Sequence, residues 1–389
     1  MRVAQLDFAD PEFPVSIVEK PSPDLPGPQW ARIRVTGGGI CGSDLHLFKP
    51  TTGQTPMLMS YVAMPMELGH EISGIVLEAG PGFPIDSGER VAVDPVMGCV
   101  ARGIEPLCPQ CAIGAAASCH NLASREVTPG FMIGYTNGLG SGWADEVVVH
   151  ESMLHLVPDA VADEAVVLHE PLSVVIHGVL RRPPRDGDRV LIVGAGIIGL
   201  CAVAAIKSLF PACHVTVVAK HDHQQDAARS LGADEVVAPA SDGSHISELA
   251  KIAETHVVGT GMLAGGFQYV IEAVGAPGAI SECLRSVGGG GTIIFLGAAG
   301  VTEVDLTPLW FKEVTVAGSF CHASDPHGAE GLVHSVDLAL DVLASGALPH
   351  DLVITHEFPL GQLREAVETA LGRGETGALK VVLRPQDMV

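Results

Sequence analysis

Three separated stretches carry side chains able to hold a metal ion. "ICGSDLH" offers Cys41, Ser43 and His46, "LGHEISG" offers His70 and Glu71, and "LHEPLSVVIHG" offers His169, Glu170 and His177. A thiolate, an imidazole and a carboxylate suit zinc, and three protein ligands leave one coordination position for water or substrate. That open position marks a catalytic ion, which there polarises an alcohol or carbonyl oxygen. Taken singly, each stretch reads as well as a buried cysteine, a satisfied core histidine or a solvated glutamate before proline.

A fourth stretch, "GCVARGIEPLCPQCAIGAAASCH" over residues 98–120, holds Cys99, Cys108, Cys111 and Cys119, four of the nine cysteines in the chain. Such clustering suits a disulfide knot or a metal site. The opening "MRVAQLDFADPEFP" has acids and prolines where a secretory signal carries an apolar core, so a cytoplasmic location is expected. A reducing compartment favours metal or reactive thiols over disulfides.

A different chemistry is written in "VGAGIIG", which sets Gly194, Gly196 and Gly199 between the strand "RVLIVG" and the helix "GLCAVAAIKSLF". The first glycine permits the tight turn and the second lets backbone approach a pyrophosphate. The third lets helix and strand pack closely, while the helix N-terminus attracts phosphate. Ile197 and Ile198 lie inside the same turn. Glycines needed only for packing in a tight turn are the plain alternative.

In such a unit the next strand ends in an acid that binds the ribose 2′-hydroxyl. Here "VTVVAKHDH" places Ala219 there, followed by Lys220 and His221. Losing the acid and gaining a cation suits a 2′-phosphate, so NADP is expected over NAD. With the register moved by three, Asp222 would supply the acid and reverse the preference. Val274 and Gly275, and Leu296 and Gly297, end two later strands and are further cofactor-binding candidates.

These groups need a frame. In the first 150 or so residues, short β-branched runs ("ARIRVTG", "EISGIVLEAG", "RVAVDPV", "DEVVVH") between Gly/Pro turns predict a twisted antiparallel sheet or partial barrel. From about Arg189, strands alternate with helices, which predicts a parallel sheet with right-handed crossovers, an α/β class of fold. Beyond "EVTVAGSF", the helical "VHSVDLALDVLAS" and "LREAVETALG" precede the strand "LKVVLRP", and the texture changes near residue 172.

The chain's 389 residues suffice for two to three domains, and 47% hydrophobic against 17% charged residues suits a sizeable core. A formal charge of −23 without a basic run repels nucleic acid and anionic membranes, so neither is expected as a partner. The longest apolar run, Val190 to Ile206, falls short of the roughly 20 residues of a membrane span.

Taken together, "GGGICGSDLH", "PMELGHEISG", "LHEPLSVVIHG" and "VLIVGAGIIGL" follow the order and spacing of the zinc-dependent medium-chain alcohol dehydrogenases. Over nearly its whole length the chain most resembles the polyol (sorbitol) and threonine dehydrogenase branch. The resemblance implies a GroES-like, mostly-β catalytic domain from residues 1–172, to which 321–389 return, and a Rossmann dinucleotide-binding domain from 173–320. It further implies hydride transfer between a nicotinamide and a secondary alcohol, ketone or polyol-like molecule, in a homodimer or homotetramer.

Carried over residue by residue, Cys41 and His70 would be zinc ligands, Glu71 a ligand or its close neighbour, and Glu170 a further carboxylate ligand. The primary-alcohol branch has a cysteine as third ligand, and the "EP" segment here has none. Ser43 matches the hydroxyl that starts the proton relay, and His46 a later relay or cofactor-contacting position. His169 and His177 match no role and are taken as structural. The substrate would be lined by "FKPTTGQTPMLMSYVAMP" and residues near "GSFCHASD".

The family's structural-zinc lobe reads C-x2-C-x2-C-x7-C. Cys108, Cys111 and Cys119 fit its last three places, but Glu105 stands at the first and Cys99 lies six residues further back. A four-cysteine zinc site closed by Cys99 is expected. The alternatives are three cysteines with Glu105, or free thiols. Rival functions are a zinc-free enoyl or quinone reductase, which would lack the Cys41, His70 and Glu170 set, a zinc reductase of an unusual carbonyl, conjugated aldehyde or imine, and a non-catalytic descendant of the fold.

Overall fold

The β-branched runs of the N-terminal region pair as antiparallel strands, because alternate residues find apolar partners on one face. In the computed structural model, residues 1–8, 10, 12–48, 61, 62, 64–259, 261–328 and 331–385 are described. The chain divides into two compact units. Unit 1 comprises Met1–Ser173, Cys321–Ser345 and Pro349–Val389, and unit 2 comprises Val174–Phe320 and Gly346–Leu348.

Unit 1 is built on a seven-stranded sheet in the order Ile354–Pro359, Lys380–Arg384, Trp30–Gly39, Glu71–Ala79, Arg90–Val93, Leu154–Leu156, with Glu146–His150 also paired to Trp30–Gly39. All pairs are antiparallel except Ile354–Pro359 with Lys380–Arg384. Register shifts at Arg32/Ile33 and Val35/Gly37 bend the long central strand. That strand's end is the part that matters for the site: Gly39 stands opposite Glu71 on one side and Val382 on the other. Ile33, Val35, Ile72, Val91 and Val147 form part of the apolar core beneath.

Unit 2 carries a six-stranded parallel sheet in the order Glu235–Val237, His214–Val218, Arg189–Val193, Phe267–Glu272, Val287–Phe295, Thr315–Gly318. Its strands are nearly continuous apolar runs, as expected when helices cover both faces of a sheet. The order reverses between Arg189–Val193 and Phe267–Glu272, and ligands of such sheets bind beyond the strand C-termini at this switch point. Among the described residues, no helix is long and apolar enough to cross a membrane.

Candidate metal centres and cofactor site

Cys41 follows the central strand and precedes the short helix Gly42–Phe48, while His70 and Glu71 open the neighbouring strand. Because Gly39 pairs with Glu71, these segments meet, and one ligand atom from each of Cys41, His70 and Glu71 lies within 4.8 Å of the others. Charged neighbours hold this set. Asp44 Oδ2 accepts from the Cys41 N–H at 2.9 Å, and its Oδ1 lies 3.4 Å from His70 Nδ1. A carboxylate on Nδ1 fixes the ring's tautomer and leaves Nε2 for a metal. Burial opposes charge on His70, yet Asp44 holds it well above the usual imidazole range. The pocket thus attracts positive charge, which a metal ion would supply in place of that proton.

Lys380, on the last strand of the sheet, pairs with Glu71 Oε2 and donates to the Ile40 carbonyl at 3.0 Å. Both charges are buried, each side chain being 1% exposed. Burial works against the ammonium, but Glu71 keeps Lys380 above the ordinary lysine range. The side chain of Glu71 is therefore shared between a cation of the chain and the ligand cluster.

Glu170, in the first turn of helix His169–Arg181, stands outside that 4.8 Å group. Its Oε1 lies 3.4 Å from His322 Nε2. Ser173 Oγ donates to the Glu170 carbonyl at 2.8 Å and lies 2.9 Å from His322 Nδ1. With its only proton so used, Ser173 accepts from Nδ1–H, which directs Nε2 at the Glu170 carboxyl. Burial pushes Glu170 up to about 8, with His70 and Lys380 opposing and Glu71 and Asp44 adding repulsion.

Ser43 is half-buried on its helix and His46 is exposed. Both ring nitrogens of the buried His169 face backbone carbonyls, Val166 O at 2.7 Å and Val93 O at 3.1 Å, and burial lowers it to about 4. It bolts helix to strand. His177 is buried within unit 2. Of the expected substrate-lining segment, residues 49–60 and 63 lie outside the described residues.

In the glycine- and proline-rich lobe, Cys99 comes together with Cys108, Cys111 and Cys119, all four sulfurs lying within 4.8 Å of one another. Cys99 and Cys108 stand 3.5 and 3.8 Å from Cys119. A tetrahedral ion with Zn–S bonds of about 2.3 Å needs S···S edges of roughly 3.8 Å. A disulfide would need about 2.05 Å, and all four cysteines are free. The sulfurs also accept N–H groups: Cys99 N to Cys111 Sγ at 3.4 Å, Asn121 N to Cys119 Sγ and Asn121 Nδ2 to Cys99 Sγ, both at 3.2 Å. Against the burial that opposes ionisation, the Cys111 and His120 backbone N–H groups bring Cys108 down to about 6. Four crowded thiols with donors aimed at them fit a closed tetrathiolate ion.

In unit 2, Gly194 turns the chain at φ +103°, and a Cβ at Gly199 would run into Gly194 O. A Cβ at Gly196 would meet no described atom within 4 Å, so a demand for glycine there comes from a ligand and not from packing. Helix Ile197–Leu209 begins at this point, with Ile197 and Ile198 half-buried. Ala219 is buried beyond the next strand and donates its N–H to Val237 O, while Lys220 is exposed and His221 half-buried. Asp222 is exposed at the first position of helix Asp222–Ser230. The N–H groups of Val274 and Gly275 donate to Glu272 Oε1 at 3.0 and 2.8 Å, and those of Leu296 and Gly297 to its carbonyl at 2.9 and 3.1 Å. One buried glutamate therefore ties both candidate cofactor loops together.

Asp44, Lys380 and His322 escaped the sequence reading. Asp44 had a local signal, an acid three residues after a candidate ligand. Lys380 had none, because a lysine in a short terminal strand reads as an exposed edge residue.

A dinucleotide turn at a sheet's switch point, with a mixed thiolate, imidazole and carboxylate cluster, defines a metal-dependent nicotinamide oxidoreductase. Residues 27–159 match the family described as "Alcohol dehydrogenase GroES-like domain", and residues 198–335 "Zinc-binding dehydrogenase". The chain is 30% identical to L-idonate 5-dehydrogenase of Vitis vinifera over 362 residues, covering 92% of this chain and 88% of the relative. Sorbitol dehydrogenase of Bacillus subtilis (strain 168) is 28% identical over 378 residues, 95% of this chain and 94% of that one. A putative zinc-binding dehydrogenase from Sinorhizobium meliloti 1021, solved bound to NADP, superposes with a TM-score of 0.75 at 27% identity, over 99% of each chain. The protein belongs to the zinc-dependent medium-chain alcohol dehydrogenases, on their polyol branch. It is a zinc-dependent, NAD(P)-dependent oxidoreductase acting by hydride transfer.

Proposed function

We propose that the enzyme prefers NADP and interconverts a secondary alcohol or polyol-like molecule with its ketone, at a zinc held by Cys41, His70 and a carboxylate from Glu71 or Glu170. The observation that carries this reading is the convergence of Cys41, His70 and Glu71 donor atoms within 4.8 Å, beside a buried countercharge on each flank. The polyol class rests on the relatives, which are named for idonate and sorbitol. When bound, zinc would supply Lewis acidity toward the substrate oxygen and the nicotinamide the hydride-accepting carbon.

The chain's own residues do the rest. Asp44 fixes the His70 ring, and Lys380 orients the Glu71 side chain. Ser43 accepts the substrate hydroxyl proton on its oxygen while passing its own hydroxyl proton on toward water, with His46, exposed on the same helix, as a later station or as a cofactor contact. In unit 2 the turn Gly194–Gly199 offers backbone and a helix N-terminus to the pyrophosphate. Lys220 offers a cation, and His221 a ring nitrogen, to the 2′-phosphate. In unit 1 the four thiolates Cys99, Cys108, Cys111 and Cys119 hold a second, structural zinc.

A homodimer or homotetramer is supported by unit 2's edge strand Thr315–Gly318 and the exposed Trp310, Phe311 and Val316 near it. The free thiols support a cytoplasmic setting. Cofactor preference has a direct test. Ala219→Asp sets a carboxylate where a 2′-phosphate would lie, a clash worth a few kcal/mol. The ratio of kcat/KM values for NADP over NAD should fall about 100-fold. An unchanged ratio refutes the assignment.

A further inference from the structure

In "MPMELGHE" a single acid, Glu67, stands three residues before His70. It lies on the short strand Met66–Glu67, and its side chain is 0% exposed. Both of its carboxylate oxygens are engaged. Oε1 accepts from Lys20 Nζ at 2.8 Å, and Oε2 accepts from the backbone N–H groups of Gly138 and Gly140 at 3.0 and 2.9 Å. Lys20 Nζ also donates to Asn137 Oδ1 at 3.2 Å, and Glu67 N to Thr136 O at 2.8 Å. So occupied, and outside the group of Cys41, His70 and Glu71, Glu67 is no ligand of the metal cluster. Directly or through Lys20, its bonds all lead to residues 136–140.

The flanks of that stretch wall in His70. On one side lies Gly134, where a Cβ would fall 2.8 Å from the Gly69 carbonyl and the His70 nitrogen. Next to it, the Tyr135 ring centroid stands 5.6 Å from that of His70. On the other side, Gly142 N donates to Gly69 O at 2.8 Å and Trp143 N to Leu68 O at 3.1 Å. Between these flanks, Gly138 and Gly140 adopt φ +90° and +75°, so backbone preference alone does not fix the path. Thr128 Oγ1 and Val148 N hold the Asn137 and Leu139 carbonyls, at 2.8 and 2.7 Å. The N–H groups of Gly138 and Gly140 are held by Glu67.

We infer that Glu67 is a positioning residue for the metal centre: its carboxylate clamps residues 136–140 and, through Gly134 and Gly142 on either side, sets the backbone from which His70 presents its imidazole to the ligand cluster. This inference rests on His70 being a zinc ligand. A buried ion pair adds little net stability, because desolvation offsets the attraction. What this one adds is geometry, since one side chain spans two N–H groups and an ammonium. Reach matters here more than charge. A carboxamide of the same length still offers one oxygen to both glycines, while the part-exposed Lys20 can turn to water.

The zinc- and cofactor-loaded enzyme provides the test, with chelator competition reporting the affinity for the zinc lost on Cys41→Ser substitution. Glu67→Met keeps the length and removes the acceptors. It should weaken that zinc about tenfold, the lower end of what outer partners of metal ligands contribute, and lower kcat alongside. The second zinc and the Kd of the nicotinamide cofactor should stay at wild-type values. Glu67→Gln should keep zinc affinity within about twofold of wild type, since one acceptor oxygen remains. Lys20→Met serves as the stability control: it strands a buried carboxylate and should lower Tm, yet leave zinc affinity unchanged. Where Glu67→Met fails to fold, Glu67→Asp takes its place, being one methylene too short to meet both glycines.

Wild-type zinc affinity in Glu67→Met, or in the Asp variant standing in for it, overturns the inference. A Glu67→Gln enzyme as weak for zinc as Glu67→Met does so too, by making charge the cause. Zinc affinity that falls with Tm in Lys20→Met also overturns it, by showing a structural role only. If His70→Ala keeps both zinc ions, the assignment of His70 as a ligand has failed, and that result is distinct from the others.

Discussion

Around Cys99, Cys108, Cys111 and Cys119 the hydrogen-bond donors to sulfur are neutral backbone and amide N–H groups. Around Cys41, His70 and Glu71 they are charged: Asp44 on one flank and Lys380 on the other. The first cluster would spend every ligand on an ion and takes its geometry from a tight loop. The second mixes donor types, shares Glu71 with a lysine, and leaves Glu170 outside it, 3.4 Å from His322 Nε2. Four equal thiolates suit an ion that only staples a lobe. Mixed ligands with charged supports suit an ion whose charge must be tuned toward a reacting oxygen. Local density of cysteines therefore points away from the chemistry.

Removing one ligand from each cluster sharpens that contrast. Cys41→Ser should cost one zinc per chain and lower kcat/KM by about 1,000-fold or more, the several kcal/mol a Lewis acid supplies. Its Tm should hardly move. Activity kept after stoichiometric loss of one zinc would place the reactive ion elsewhere. Cys108→Ser should do the reverse. Losing about 4 kcal/mol of lobe stability lowers Tm by roughly 10 °C, while the folded fraction retains most of its kcat. Equal loss of kcat in both variants would erase the distinction.

A smaller effect separates the supports themselves. Lys380→Met strands the buried Glu71 carboxylate and should destabilise unit 1 by about 3 kcal/mol, with denaturant midpoints as the readout. Adding Glu71→Gln should restore most of that loss, because the uncompensated charge goes with it. A double variant no more stable than Lys380→Met would mean that packing, not charge, explains the lysine's burial. No such rescue has a counterpart in the four-cysteine lobe, whose hydrogen-bond donors to sulfur carry no charge.

The legible parts were those encoded over short distances. Gly194, Gly196 and Gly199 lie within one turn, and their spacing alone constrains strand, turn and helix. Cys41 with Ser43, and His70 with Glu71, are likewise neighbours along the chain. What escaped was built by pairing over long separations. Lys380 reaches Ile40 across 340 residues, and His322 reaches Ser173 across 149. A single sequence holds no trace of such contacts, since each depends on strand register and topology. Cys99 was an intermediate case: its type was plain, but the length of "VARGIEPL" left open whether it could return to the other three sulfurs.

The strand Lys380–Arg384 also has a consequence for how the protein is made. It lies between Ile354–Pro359 and Trp30–Gly39 in unit 1's sheet, and it carries the lysine that answers Glu71. During synthesis, nearly all of unit 2 comes off the ribosome as one uninterrupted stretch and can close upon itself. Unit 1 begins first and is completed last. Until its final strand emerges, the nascent sheet shows a bare edge beside Gly39 and a carboxylate without its cation. Pairing across so long a separation is slow, and exposed edges invite association with other chains. The same strand that brings Lys380 to Glu71 thus sets the last stretch of translation in which this sheet edge stands uncovered.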